Sequence, residues 1–94
     1  MEVIFTPRAL EDREYWKRTG NKRVMKRITD LLEDIKKHPF TGIGKPEPLR
    51  NMNGYWSRRI NDEHRLVYKL TGTNDPANGD SRELFIVQCV THYE

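Results

Sequence analysis

Residues 21–39 constrain the fold more than any other stretch. Val24, Ile28, Leu31, Leu32 and Ile35 recur at i, i+4, i+7, i+8 and i+11, an apolar stripe with the period of an α-helix. Lys22, Arg23, Lys26, Arg27, Asp30, Glu33, Asp34, Lys36 and Lys37 fill the remaining face. Asn21 can cap the start, Lys36, Lys37 and His38 suit the negative end of the helix dipole, and Pro39 stops the helix. Such a helix owes its stability mainly to packing its apolar face, so the rest of the chain must supply the surface that covers the stripe.

That surface reads as strands. Residues 3–5 are β-branched and aromatic and predict a first strand. Thr6-Pro7 then predicts an N-cap and a proline at the first position of a first helix, with Leu10, Tyr15 and Trp16 near helical spacing and Gly20 closing it. Residues 41–54, rich in Gly and Pro, predict an ordered loop. Residues 55–60 and 64–70 predict two strands joined by a hairpin turn at Asn61-Asp62-Glu63. Residues 71–81 collect turn formers without periodicity and read as a mobile surface loop. Residues 84–90 are almost continuously apolar and predict a central last strand. The order is β-α-α-β-β-β, an α+β fold with both helices on one face of a largely antiparallel, twisted sheet. Residues 1–94 are expected to form one domain.

A chain of 94 residues buries roughly 60–65% of its unfolded surface, so a site is expected in a surface groove and not in an internal cavity. Lys and Arg total 17 against 14 acids, a net charge of +3. That excess alone points only weakly to a polyanion, but the cations crowd into 17–37 and 50–69 while Glu2, Glu11, Asp12 and Glu14 make the first segment acidic. Cys89 is the single cysteine, which excludes a disulfide framework and a Cys-based zinc cluster and suits a reducing compartment. The three histidines lack metal-ligand spacing, so neither metal nor cofactor is expected, and no P-loop, GxSxG or GxGxxG is present. No run approaches the ~18 apolar residues of a membrane span. The expectation is a soluble cytoplasmic protein without a membrane partner.

One carboxylate stands out. Glu47 lies between Pro46 and Pro48, on a stiff segment poor in local backbone donors, with Lys45 and Arg50 nearby. A carboxylate so placed serves as a general base when burial moves its pKa toward neutrality; on spacing alone the solvated loop acid is the stronger reading. Arg58, Arg59 and Arg65 fall on the expected hairpin. Alternation puts Arg59 with Tyr55 and Ser57 on one face and Arg58 with Trp56 and Ile60 on the other. A guanidinium on a rigid strand can bind a phosphate and stabilise charge that grows in a transition state; taken singly, each of these arginines reads first as paired with a surface acid such as Asp62 or Glu63, but three on one hairpin beside Glu47 shift the balance toward phosphate. His92 has the side chain best suited to acid work near neutrality, and Tyr93 could stack, although a chain end is commonly frayed. With Glu47 as base, His92 as acid and Arg65 as clamp, the set fits attack of a ribose 2′-OH on the adjacent phosphate, a reaction that implies RNA and asks for no metal.

The segments Gly44-Lys45-Pro46-Glu47-Pro48-Leu49, Gly54-Tyr55-Trp56-Ser57-Arg58-Arg59-Ile60, Glu63-His64-Arg65-Leu66-Val67-Tyr68 and His92-Tyr93, with Tyr15-Trp16 and His38-Pro39-Phe40, resemble the YoeB/Txe toxins of the RelE/ParE superfamily across almost the whole chain. The resemblance implies a RelE-like fold. It also implies a ribosome-dependent mRNA endoribonuclease acting in the A site, restrained by a cognate antitoxin, and a homodimer. It gives Glu47 the role of general base, Arg65 that of transition-state clamp, His92 that of general acid and Tyr93 that of a stacking or positioning residue. Arg59, with Lys45, Arg50 and Arg58, completes the expected substrate-binding set. Non-catalytic alternatives are a ParE-like inhibitor or a ribosome- or RNA-binding module of the same fold. Two features depart from the family pattern: a longer 71–81 loop, and Glu94 beyond the usual terminal tyrosine.

Overall fold

The computed structural model describes residues 1–91. Helix α2 (Lys22–Lys37) carries the expected stripe, with Val24, Ile28, Leu31 and Ile35 buried and Leu32 packed beside them. The Asn21 side chain caps it, accepting from the Val24 N–H at 3.1 Å. Helix α1 (Pro7–Arg18) begins as expected: Thr6 Oγ1 accepts from the Ala9 N–H at 3.2 Å and Pro7 takes the first turn.

The inward face of α1 differs from the expectation. Ala9, Asp12 and Trp16 are buried and Leu10 is exposed. The reason is what α1 covers. It packs on the irregular end of the last strand, where backbone groups need partners. Asp12 Oδ2 accepts from the Cys89 and Val90 N–H groups at 2.9 and 3.1 Å, and the Trp16 indole donates to the Cys89 carbonyl at 2.9 Å.

Five strands form the main sheet: β1 (Glu2–Phe5), β2 (Glu47–Pro48), β3 (Tyr55–Arg59), β4 (Arg65–Thr71) and, after two further short strands, β7 (Glu83–Gln88). Their spatial order is β1-β7-β4-β3-β2. Leu66 and Tyr68 of β4 and Leu84 and Ile86 of β7 meet the buried faces of both helices in one apolar cluster. The sheet is antiparallel except where β1 joins β7 in parallel. That pair joins opposite ends of the chain, so no hairpin dictates its direction. β7 is paired on both sides, as its apolar run implied, while β4 holds the middle of the sheet.

Two loop readings change. The 41–54 segment contains β2, which extends the sheet by two residues. The 71–81 segment contains a small hairpin of β5 (Asn74–Asp75) and β6 (Gly79–Asp80). Its turn is held by Asp75, which accepts from the Ala77 N–H at 2.8 Å and from the Asn78 side chain at 2.9 Å. Turn-forming side chains that break longer periodicity are the same groups that close a tight hairpin. Among the described residues no helix is long and apolar enough to cross a membrane.

Candidate active site

Strand register decides which side chains share a face. Glu47 stands opposite Ser57, Ser57 opposite Val67, and Arg59 opposite Arg65. Directly opposed residues project to the same side of a sheet. Glu47, Ser57, Arg59 and Arg65 therefore lie together on the face away from the helices, while Arg58, Leu66 and Tyr68 point toward them.

Within this group the contacts are short. The Arg65 Nε donates to Ser57 Oγ at 2.9 Å, and Arg65 Nη2 lies 3.5 Å from Glu47 Oε2. The second contact is an ion pair without hydrogen-bond alignment: Nη2 is buried and has no hydrogen-bond partner among the described residues. Ser57 is almost fully buried, the Arg65 side chain is 30% exposed and that of Glu47 63% exposed. The carboxylate thus keeps open access to solvent while the guanidinium is pinned edge-on by a buried hydroxyl. Arg59 is exposed at the end of β3, and its guanidinium has neither hydrogen bond nor ion pair among the described residues.

Arg58 requires a correction. Expected as a substrate-binding cation, it is 0% exposed and its donors are used inside the protein. Nη1 contacts Asp34 Oδ2 at 2.5 Å and the Ile43 carbonyl at 3.1 Å. Nη2 donates to the Thr41 carbonyl at 2.7 Å and to the His38 carbonyl, and Nε donates to the Tyr68 hydroxyl at 3.2 Å. A buried guanidinium surrounded in this way cannot reach a nucleic-acid phosphate. The carboxylate it meets is tuned accordingly. Partial burial disfavours the charged form of Asp34, but the Arg58 hydrogen bond and charge and the Ile43 N–H outweigh it and hold the carboxyl below its ordinary value. Burial, only partly offset by Arg58, raises the Tyr68 phenol.

The loop before Glu47 is shaped around this group. Gly42 has φ +111, and a Cβ there would overlap the Asp34 carboxylate; at Gly44, φ +79, a Cβ would press on Leu31 and Arg58. Lys45 is the one non-glycine residue with positive φ among those described, at +51, a conformation that costs roughly 1–2 kcal/mol. It immediately precedes Pro46-Glu47.

Lys45 and Arg50 are exposed and carry no ion pair among the described residues. His92 and Tyr93, expected as acid and stacking group, lie outside the described residues. Thr91, which precedes them, is held at the start of β4. Its Oγ1 accepts from the Arg65 N–H at 2.9 Å and its N–H donates to His64 Nδ1 at 3.1 Å. His64 is buried with its ring edge-on to Trp16, centroids 5.0 Å apart. This anchor was not read from the sequence, nor was the role of Ser57. Alternation placed Ser57 beside Arg59, but only register brings its hydroxyl to the guanidinium. A groove of about 630 Å³ lined by Trp16, Lys22, Arg23, Asn61 and His64 includes neither Glu47 nor Arg65, so the Glu47–Arg65 group sits on an open sheet face and not in that groove. Among the described residues no group of three potential metal ligands converges.

Residues 5–93 match the family model for the YoeB-like toxin of bacterial type II toxin–antitoxin systems. The chain belongs to this family. It is 44% identical to the toxin YoeB of Synechocystis over 95 residues, covering 100% of this chain and 99% of that protein. The YoeB/ParE toxin from Agrobacterium tumefaciens superimposes with a TM-score of 0.86 at 42% identity, covering 99% of this chain and 100% of that one. The YoeB of Staphylococcus aureus has been solved as a dimer, TM-score 0.80 at 40% identity, and in a heterotetrameric complex with YefM, TM-score 0.76 at 41% identity; each match covers 99% of this chain and 98% of that one. In this YoeB-like toxin Glu47, Ser57, Arg59 and Arg65 share one face of the sheet.

Proposed function

We propose that this YoeB-like toxin is an endoribonuclease that cuts mRNA in the ribosomal A site and so blocks translation. The observation that carries the reading is the Glu47–Arg65–Ser57 group with Arg59 beside it: an accessible carboxylate 3.5 Å from a guanidinium that is itself fixed by a buried hydroxyl. Glu47 accepts the proton of a ribose 2′-OH. The freed oxygen attacks the adjacent phosphorus as the bond to the 5′-oxygen breaks, and His92 returns a proton to that oxygen. Arg65 faces the charge that accumulates on the phosphoryl oxygens, and Tyr93 positions the base. Arg59, Lys45 and Arg50 hold the flanking phosphates. The products are a 2′,3′-cyclic phosphate and a 5′-hydroxyl.

By likeness to the S. aureus protein, solved both as a dimer and with YefM, the chain pairs with itself and is restrained by a cognate antitoxin. Its place of action is the cytoplasm. Cleavage of a defined mRNA on purified bacterial ribosomes tests the reading. The parent is expected to leave the two stated end groups, and Glu47→Ala and His92→Ala to lose most of the rate. Undiminished cutting by both variants would remove the acid–base assignment. Translation arrest without any cut would leave a non-catalytic inhibitor.

A further inference from the structure

Arg58 lies behind the candidate site, on the helix side of β3, and the chemistry proposed above does not use it. It is a wholly buried cation, and most of its partners lie on the end of α2 and the segment that follows. Three carbonyls of that segment, on His38, Thr41 and Ile43, accept from it. Asp34 bridges the same elements: its Oδ2 meets Arg58 Nη1 and also accepts from the Ile43 N–H at 3.0 Å. Tyr68 closes the cage from β4, accepting from Arg58 Nε and donating to the Pro39 carbonyl at 2.7 Å. One residue beyond Ile43, the Gly44 carbonyl accepts from the Arg59 N–H at 2.6 Å. The chain then passes through the left-handed Lys45 to Pro46 and Glu47, whose own partner in register is Ser57, one residue before Arg58.

We propose that Arg58 is a positioning residue for the reaction. With Asp34 and Tyr68 it fixes residues 38–44 from behind the sheet, and so sets where the Glu47 carboxylate stands relative to Arg65. The inference rests on the reading of Glu47 as the base. β2 is only two residues long and lies at the sheet edge, so strand pairing alone is a weak hold on that carboxylate. The cage supplies the hold where the loop has no regular structure of its own. Displacement of a reacting group by about 1 Å can cost about a hundredfold in rate, so a change at this cage is expected to reach the chemistry without touching the substrate.

The test is a double-mutant cycle on single-turnover mRNA cleavage by purified bacterial ribosomes carrying a defined message. Asp34→Asn and Tyr68→Phe keep side-chain size; the first removes the charge that meets Arg58 and the second the hydroxyl that links Arg58 to the Pro39 carbonyl. Arg58→Lys is a third variant. Where Arg58→Lys does not fold, the two milder variants decide. The expected result is a cleavage rate about 10-fold to 100-fold below the parent at saturating ribosomes, with the half-saturating ribosome concentration unchanged. In a Glu47→Ala background the same substitutions are expected to cost little more, because residues that act through one another do not add.

Folded cage variants that cleave at the parent rate would overturn the inference. So would an equal loss in both backgrounds, which marks a general structural effect and not a path through Glu47. If Glu47→Ala itself cleaves like the parent, the base assignment fails and the positioning role falls with it. If Glu47→Ala is slow while the cage variants are not, the positioning role alone is wrong.

Discussion

Arg59 and Arg65 stand directly opposite each other at the turn end of the β3–β4 pair, on the same face of the sheet. Like charges in that relation destabilise a sheet by roughly 0.2–1 kcal/mol. Glu47 offsets Arg65 through its ion pair, but Arg59 has no such partner among the described residues. The pair is therefore expected to gain stability when an anion arrives, in line with the phosphate contacts proposed for Arg59 and Arg65.

Phosphate is accordingly expected to raise the melting temperature more than chloride at equal ionic strength. Thermal unfolding in matched salts measures it, with Arg59→Ala as the control. The variant should lose most of the phosphate-specific rise. An identical rise in parent and variant would place the anion elsewhere.

Ser57 gives a second prediction. Its Oγ is buried and accepts the Arg65 Nε. Ser57→Ala removes the acceptor and leaves the guanidinium free to rotate against Glu47. The mRNA cleavage rate is expected to fall about tenfold or more, while Ser57→Thr, which restores a hydroxyl, recovers part of it. A Ser57→Ala protein with the parent rate would show that Arg65 is held by other means.

The residues that were legible in the sequence are those governed by local rules. The α2 stripe, the caps at Thr6 and Asn21, and Gly20 at the end of α1 each depend on spacing within a few residues, and each stands where spacing put it. Facing along β3 was also legible: it grouped Arg58 with Trp56 and Ile60, and the structure turns that face toward the core. The charge of Arg58 argued for the surface, and burial with five partners outweighed that argument. The remaining features needed contacts between distant parts of the chain. Asp12 looks like a surface acid of α1 until β7 ends beneath it, 77 residues away in sequence. Ser57 acquires its role only when the β3–β4 register places it near Arg65. The parallel docking of β1 on β7 has no hairpin to announce it.

Gly42 carries a third prediction. Its φ of +111 is costly for any residue with a Cβ, and that Cβ would overlap the Asp34 carboxylate. Gly42→Ala is expected to destabilise the fold by about 1–3 kcal/mol from the backbone alone, with more from displacing Asp34. Gly79, with φ +88 and open space around it, is the control. Urea unfolding should find Gly42→Ala clearly the less stable of the two. Equal losses would show that the Asp34 side chain gives way at no cost.

Cys89 yields the last prediction, and its sign is fixed by linkage. Burial, reinforced by the nearby Asp12 charge, pushes the thiol up to about 12. In the unfolded chain a cysteine titrates near 8.5. Below that value both states hold the proton and the thiol adds no pH dependence. Between about 8.5 and 12 the unfolded state has lost the proton while the folded state keeps it, so stability falls as pH rises, by at most about 1.4 kcal/mol per unit. The urea midpoint of the parent is thus expected to drop between about pH 8.5 and pH 10.5. Cys89→Ala should start from a lower midpoint, because it empties core volume, and then decline less steeply. Alkylation of the parent thiol at neutral pH should track unfolding of the native protein, since the folded thiol is both shielded and protonated. A Cys89→Ala variant whose midpoint falls as steeply as the parent's would assign the alkaline loss to another group.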